Sequence, residues 1–286
     1  MKPEIQHFYH AASGTFSYVV SDPSSGSAAI IDPVLGYSAA SGRTDTTPAE
    51  AIISYVKAKQ LTVEWILETH AHADHLTAAQ FLKSRLGGKV AIGQGIRDVQ
   101  AHFGPIFNLQ KPFAADGHQF DQLFGDNETF LLGALTGKVL QTPGHTSDSV
   151  TYVFANAAFV GDTLFNSDSG TARCDFPGGD SGVLFDSVQK LFALPADTEF
   201  YLCHDYPSDG RALRYKVPIA EQKTENIHVR QGTSREEFIA MRDARDATLS
   251  LPALLLPAIQ VNIRAGQLPP PDDNAIAYIK IPLDTL

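Results

Sequence analysis

The segment Thr69-His70-Ala71-His72-Ala73-Asp74-His75 limits what this chain can fold into more than any other. Three imidazoles and a carboxylate fall within six consecutive residues, directly behind an apolar stretch, residues 63–68, that reads as a buried strand. Imidazole and carboxylate together bind divalent ions such as zinc, iron and manganese. Alanine spacers keep bulk out from between the ligands, and a loop at a strand end is a rigid platform for a site. A solvated histidine-rich loop is the plain alternative, and the spacing argues against it.

Three more candidates follow strand-like stretches. His145 closes the turn Thr142-Pro143-Gly144-His145-Thr146, Asp162 lies in Val160-Gly161-Asp162-Thr163, and His204 lies in Leu202-Cys203-His204-Asp205-Tyr206. Each alone reads more readily as a structural residue than as a ligand. With His70, His72, Asp74 and His75 they make seven groups, enough for one or two metal ions.

Residues 5–10, 16–20 and 28–32 read as short strands separated by Ser/Gly/Pro turns. Thr47 before Pro48 marks a helix start, running to about residue 59. Leu76, Ala79, Leu82 and Leu86 recur at helical spacing before Gly87-Gly88, and residues 95–102 suggest a further helix. Strand-like stretches at 129–132, 138–142, 150–154 and 158–160 form a meander. Helix 180–194, strand 199–202 and a charged surface helix at 233–246 follow. Strands then helices, twice over, predict two layers packed sheet to sheet with helices outside. We read the chain as a single α/β domain over residues 1–286, with a core to about 215 and a C-terminal extension over about 216–286.

A formal net charge of −10 in 286 residues argues against nucleic-acid binding through phosphates. Hydrophobic residues at 43% exclude disorder, and two cysteines, Cys174 and Cys203, exclude a disulfide scaffold. Residues 1–10 show no apolar secretory core, and the most apolar stretch, 251–259, is broken by Pro252 and Pro257. A cytoplasmic protein without membrane contact is expected.

His-x-His-x-Asp-His, Pro-Gly-His-Thr, Gly-Asp-Thr-Leu-Phe and His-Asp-Tyr, in this order, resemble the metallo-β-lactamase superfamily. The resemblance implies an αββα sandwich with the metal site at the rim of the two sheets. Within the superfamily the chain is similar to the glutathione-linked branch, which holds glyoxalase II hydrolases and persulfide dioxygenases. Arg173-Cys174-Asp175-Phe176 resembles the Arg-x-Asp-Phe element of the dioxygenases, and His204-Asp205-Tyr206 resembles their form of that motif.

The resemblance implies one Fe(II) per chain held by His70, His145 and Asp162, which leaves positions open for substrate sulfur and O2. His72, Asp74, His75 and His204 would then support the ligands or form a second site. Glutathione persulfide, O2 and water would yield sulfite and glutathione. Arg173 and Tyr206 are the implied pocket residues in catalysis and substrate binding, with Arg214 and Lys216 as further cations for the glutathione carboxylates. The alternative is a dizinc thioester hydrolase of the glyoxalase II type. Related enzymes are often dimers, so a homodimer is compatible with this reading. Cys174 reads as a small packed residue.

Overall fold

A computed structural model describes residues 2–109, 113–207 and 210–285. The first half runs β1 (Glu4–His10), β2 (Thr15–Ser21), β3 (Ser27–Ile31), β4 (Val34–Ser38), β5 (Arg43–Asp45), α1 (Thr47–Ala58), β6 (Thr62–Leu67), β7 (Leu76–Thr77), α2 (Ala79–Leu86), β8 (Lys89–Gly93), α3 (Ile96–Ile106) and β9 (Gln122–Phe124). The second half runs β10 (Thr129–Leu132), β11 (Leu135–Gln141), β12 (Val150–Phe154), β13 (Ala157–Phe159), α4 (Ser181–Phe192), β14 (Glu199–Tyr201), β15 (Lys216–Pro218), α5 (Ile219–Glu225), α6 (Arg235–Asp246) and α7 (Leu255–Asn262).

Two six-stranded sheets result, ordered β1-β2-β3-β6-β8-β9 and β10-β11-β12-β13-β14-β15. Their facing sides share one apolar layer. Phe16, Tyr18, Ile31 and Phe124 from the first sheet pack with Phe130, Tyr152, Phe154 and Phe159 from the second. Burying such a side chain stabilises the fold by about 1.5–3 kcal/mol. Residues of opposite parity in the first sheet, such as Val19, Ile30 and Ile66, pack outward against α1, α2, α3 and α7. On the far side, Ala158, Phe200 and Val217 meet α4 and Phe238 of α6. The layers are therefore αββα, as the alternation of strands and helices predicts. No helix among the described residues is long and apolar enough to cross a membrane.

Several boundaries differ from the sequence reading, each for a local reason. Thr46 occupies the cap position of α1, and Asp45 does the capping chemistry, accepting from Thr47 N at 2.9 Å and Thr47 Oγ1 at 2.6 Å. Leu76 lies in β7, outside α2, because Val34 and Leu35 of β4 pair with Thr77 and Leu76. The helix expected over 95–102 continues to Ile106, with Pro105 near its end. Helix α6 is no plain surface helix: Phe238, Arg242 and Asp246 are buried. The boundary expected near residue 215 falls inside the second sheet, since Lys216–Pro218 pairs with β14.

Prolines hid α7 in the sequence. Pro257 is its third residue, where the backbone needs no intrahelical N–H, so the helix forms and buries Leu255, Ala258, Ile259 and Val261 in the first core.

Candidate metal centre

The His-rich loop leaves the C-terminal end of β6, a central strand of the first sheet, and re-enters at β7. Both of its ends are therefore pinned by strand pairing. His145 and Asp162 approach from the second sheet, each behind a glycine. Gly144 has φ +130°, and a Cβ there would lie 2.3 Å from Leu184 N. Gly161 has φ +53°, and a Cβ would lie 2.7 Å from Thr69 Oγ1. Only glycine tolerates both the conformation and the crowding, so these two residues let the ligands close on the loop.

The seven expected groups converge. Asp162 Oδ2 is 3.8 Å from His70 Nε2 and 3.7 Å from His145 Nε2. Asp162 Oδ1 is 3.4 Å from His204 Nε2, which in turn is 3.5 Å from Asp74 Oδ2. His75 Nδ1 lies 3.2 Å from Asp74 Oδ2. Ligand atoms of His70, His145 and Asp162 all lie within 4.8 Å of one another, and so do those of His72, Asp74 and His75.

Hydrogen bonds behind the rings select which nitrogen faces inward. His145 Nδ1 donates to the Arg173 carbonyl at 2.7 Å, and His204 Nδ1 donates to the Gly14 carbonyl at 3.3 Å. His70 Nδ1 donates to Thr69 Oγ1 at 3.1 Å, which donates onward to Asp32 Oδ2 at 2.9 Å. His72 Nε2 donates to Asp32 Oδ1 at 3.0 Å. What remains is a set of buried atoms with no hydrogen-bond partner: His70 Nε2, His72 Nδ1, His75 Nε2, His204 Nε2 and Asp162 Oδ1. Buried polar atoms are almost always paired. Five unpaired nitrogens and oxygens within one cluster of His and Asp side chains fit a cation as their missing partner.

Electrostatics agree. Burial, aided by the neighbouring imidazoles, holds His70 and His72 well below the ordinary histidine range, so both rings are neutral and carry a free lone pair. Burial pushes the Asp74 carboxyl up, but the His204 and His75 rings overcome it and carry it well below the usual value. His204 moves the other way: burial lowers it, and Asp162 and Asp74 outweigh burial and raise it. The space between Asp162 and Asp74 therefore favours positive charge.

The sequence reading missed two carboxylates behind the ligands. Asp32 follows β3 at φ +47°, accepts from Thr69 N at 2.7 Å, and orients both His70 and His72. Asp148 accepts from Ala71 N at 2.8 Å. Both are fully enclosed, and no motif marks them. An aspartate just past a buried strand, as Asp32 is, was the only available signal.

Asp162 opens onto a cleft of about 520 Å3, whose wall includes Ala73, Phe165, Phe176 and Tyr206 and, from the C-terminal third, Ile227, Arg242, Arg245 and Leu249. Arg173 and Tyr206 line it as expected. Arg173, however, is already engaged: Nε and Nη2 donate to Asp175 at 2.6 Å each, Nη1 donates to Ser250 O at 2.7 Å, and its guanidinium lies 5.0 Å over Phe176. The Arg173-Cys174-Asp175-Phe176 element is thus a self-paired unit, and Phe176 packs edge-on to His145 with centroids 5.3 Å apart.

Arg214 and Lys216 do not line the cleft. Arg214 pairs with Glu221 at 2.7 Å, and Lys216 lies 3.5 Å from Glu199 across the β14–β15 edge. The cleft's free cation, missed in the sequence, is Arg245: it is exposed and makes no ion pair among the described residues. Cys174 is packed, with burial raising its thiol pKa, and its N–H donates to Asp246 Oδ2 at 2.7 Å.

The model of the metallo-beta-lactamase superfamily matches residues 11–204. This chain belongs to that superfamily. Among its superfamily relatives, a probable metallo-hydrolase of Burkholderia pseudomallei is 50% identical over 99% of both chains. A Dictyostelium discoideum protein named glyoxylase B2 is 49% identical over 100% of this chain and 98% of its own. The human mitochondrial persulfide dioxygenase ETHE1 is 29% identical over 92% of this chain and 88% of its own. The crystal structure of ETHE1 from Myxococcus xanthus superposes with a TM-score of 0.73 at 30% identity, over 92% of this chain and 100% of that one. The metal-ion chemistry of the superfamily is what the His/Asp cluster is built for.

Proposed function

We propose that the protein is a cytoplasmic, iron-dependent persulfide dioxygenase. Glutathione persulfide, O2 and water give glutathione, sulfite and two protons, so that sulfur gains all three oxygens. The observation that carries this reading is the closed set of His70, His145 and Asp162, whose ligand atoms lie within 4.8 Å of one another. Two imidazoles and one carboxylate on one face suit Fe(II) and leave positions free toward the cleft. Similarity to the human persulfide dioxygenase supports the same reading.

When bound, Fe(II) would supply the redox chemistry for O2 and an anchoring point for the persulfide sulfur. The chain's own residues do the rest. Asp32 and Thr69 hold the His70 ring, and the Arg173 carbonyl holds the His145 ring. Phe176 packs edge-on against His145, and Phe165 and Tyr206, edge-on to each other, line the same cleft. Arg245 offers a guanidinium fork to a glutathione carboxylate. Arg173 acts through Asp175 and Phe176, shaping the wall rather than binding a carboxylate itself.

A second reading, a dizinc hydrolase of glutathione thioesters, is favoured by the second group, His72, Asp74 and His75, and by the hydrolase and glyoxylase names of two relatives. Metal analysis of anaerobically purified protein, paired with an oxygen electrode, separates them. One iron per chain and O2 uptake with glutathione persulfide are expected. Two zincs, with thioester cleavage and no O2 uptake, would overturn the proposal.

A further inference from the structure

Helix α7 is built around a buried asparagine that reaches the metal loop. Asn262 Nδ2 donates to the backbone carbonyls of His72 and of His75, at 2.8 Å each, and its Oδ1 accepts from Thr77 N at 2.9 Å. The side chain is 3% exposed, and both amide protons are used. These bonds bracket Ala73 and Asp74 from behind and pin the exit of the loop at β7. By contrast, the entrance of the loop is held by Asp32 and Asp148. One half of the loop is therefore fixed by Asp32 of its own sheet and Asp148 of the second, and the other by a helix about 190 residues later.

We infer that Asn262 is a positioning residue for the metal centre: it sets where Asp74 and His75 stand, and so makes metal retention depend on the C-terminal segment. This rests on the loop being a metal site: Asp74 and His75 either hold the ion directly, or, with the ion on His70, His145 and Asp162, Asp74 acts on Asp162 through His204. An apolar side chain at 262 would leave three buried backbone groups unpaired, and each would seek other partners by moving the loop. Partners behind metal ligands typically govern affinity by about 10- to 100-fold.

Gln260 supplies the control. It sits on the same helix and is equally buried, but its amide clamps the tail, donating to Lys280 O at 2.8 Å and accepting from Lys280 N at 2.9 Å. None of its side-chain hydrogen bonds among the described residues goes to the loop.

The test loads Asn262→Ala, Asn262→Ser and Gln260→Ala with Co(II). It records the visible ligand-field spectrum, the metal dissociation constant by chelator competition, and melting of the metal-free proteins. Asn262→Ala should bind Co(II) about 10- to 100-fold more weakly, with an altered spectrum. Asn262→Ser, a milder lesion in case the alanine variant does not fold, should shift both in the same direction. Gln260→Ala should melt earlier yet keep the wild-type spectrum and affinity. If Asn262→Ser matches wild type in spectrum and affinity, or if Gln260→Ala weakens the metal as much as the Asn262 variants do, Asn262 is a packing residue and the inference fails. Because these readouts need no persulfide or O2, their failure is distinct from failure of the proposed reaction.

Discussion

The floor and the wall of the cleft are made in different ways. On the floor, seven ligand-type side chains come from strand ends of both sheets, are mostly buried, and are aimed by hydrogen bonds to Asp32, Thr69 and backbone carbonyls. The wall comes largely from the second half of the chain. Arg173, Arg242, Arg245 and Leu249 stand on a loop and on α6 and the turn that follows it. The floor is held by the sheets and can tolerate little movement. The wall is held by one buried ion pair, Arg242 Nη2 to Asp246 Oδ1 at 2.6 Å, whose members also hold Thr171 O and Cys174 N. On the proposed reading, reaction class belongs to the floor and choice of substrate to the wall.

The largest effect should come from the floor. Asp162→Ala removes the carboxylate shared by His70, His145 and His204. Activity should fall roughly a thousandfold or more, with loss of bound metal and little change in the metal-free melting curve. Steady-state rates and metal content check this, and a variant with normal turnover and a raised KM would erase the distinction between floor and wall. The wall should answer in stability instead. Asp246→Ala leaves the Arg242 charge buried and unpaired, which costs about 3–5 kcal/mol in urea unfolding. A loss under 1 kcal/mol would mean that the α6 ion pair does not hold the wall.

The same division explains what was legible in the sequence. Floor residues could be read because His70, His72, Asp74 and His75 are contiguous, and because Gly144 and Gly161 mark the turns that deliver His145 and Asp162. The sandwich could be read from alternating strands and helices. Of the wall, Arg173 and Tyr206 could be read, but the cations of α6 could not, since a cation's role depends on what stands opposite it. Arg214, expected to bind a carboxylate, is instead held by Glu221, and Arg245, which no motif marks, stands on the wall with no ion pair among the described residues. Helix α6 looked like a solvated face because Arg242 and Asp246 are both charged, although they are buried against each other at i, i+4. Asp32 carries no motif, and the prolines of residues 251–259 concealed α7 and with it Asn262.

A milder wall effect concerns Arg245. Arg245→Ala should raise KM for glutathione persulfide about tenfold, equivalent to one charge-assisted hydrogen bond, and leave kcat nearly unchanged. Steady-state kinetics over a range of salt would sharpen this, since an exposed guanidinium loses its advantage as ionic strength rises. An unchanged KM would move carboxylate recognition elsewhere on the wall.

A further effect on the wall is a dependence on pH. His228 Nδ1 accepts from Thr171 N at 3.0 Å, directly behind the wall. Burial, with the Arg242 and Arg245 charges adding to it, lowers its pKa from 6.5 to about 4. The folded protein thus keeps this ring neutral where the unfolded chain would already have taken up a proton. Its contribution is complete above pH 6.5 and is lost as pH falls toward about 4. His228→Asn, which keeps an acceptor for Thr171 N and does not titrate, should flatten that part of the stability curve relative to wild type while Co(II) affinity at pH 7 stays the same. If the two proteins lose stability in parallel between pH 6.5 and 4, the ring takes up its proton equally in the folded and unfolded chain and the wall is not sensed there. If Co(II) affinity falls as well, the wall and the floor are coupled more tightly than the separate hydrogen-bond networks behind them imply.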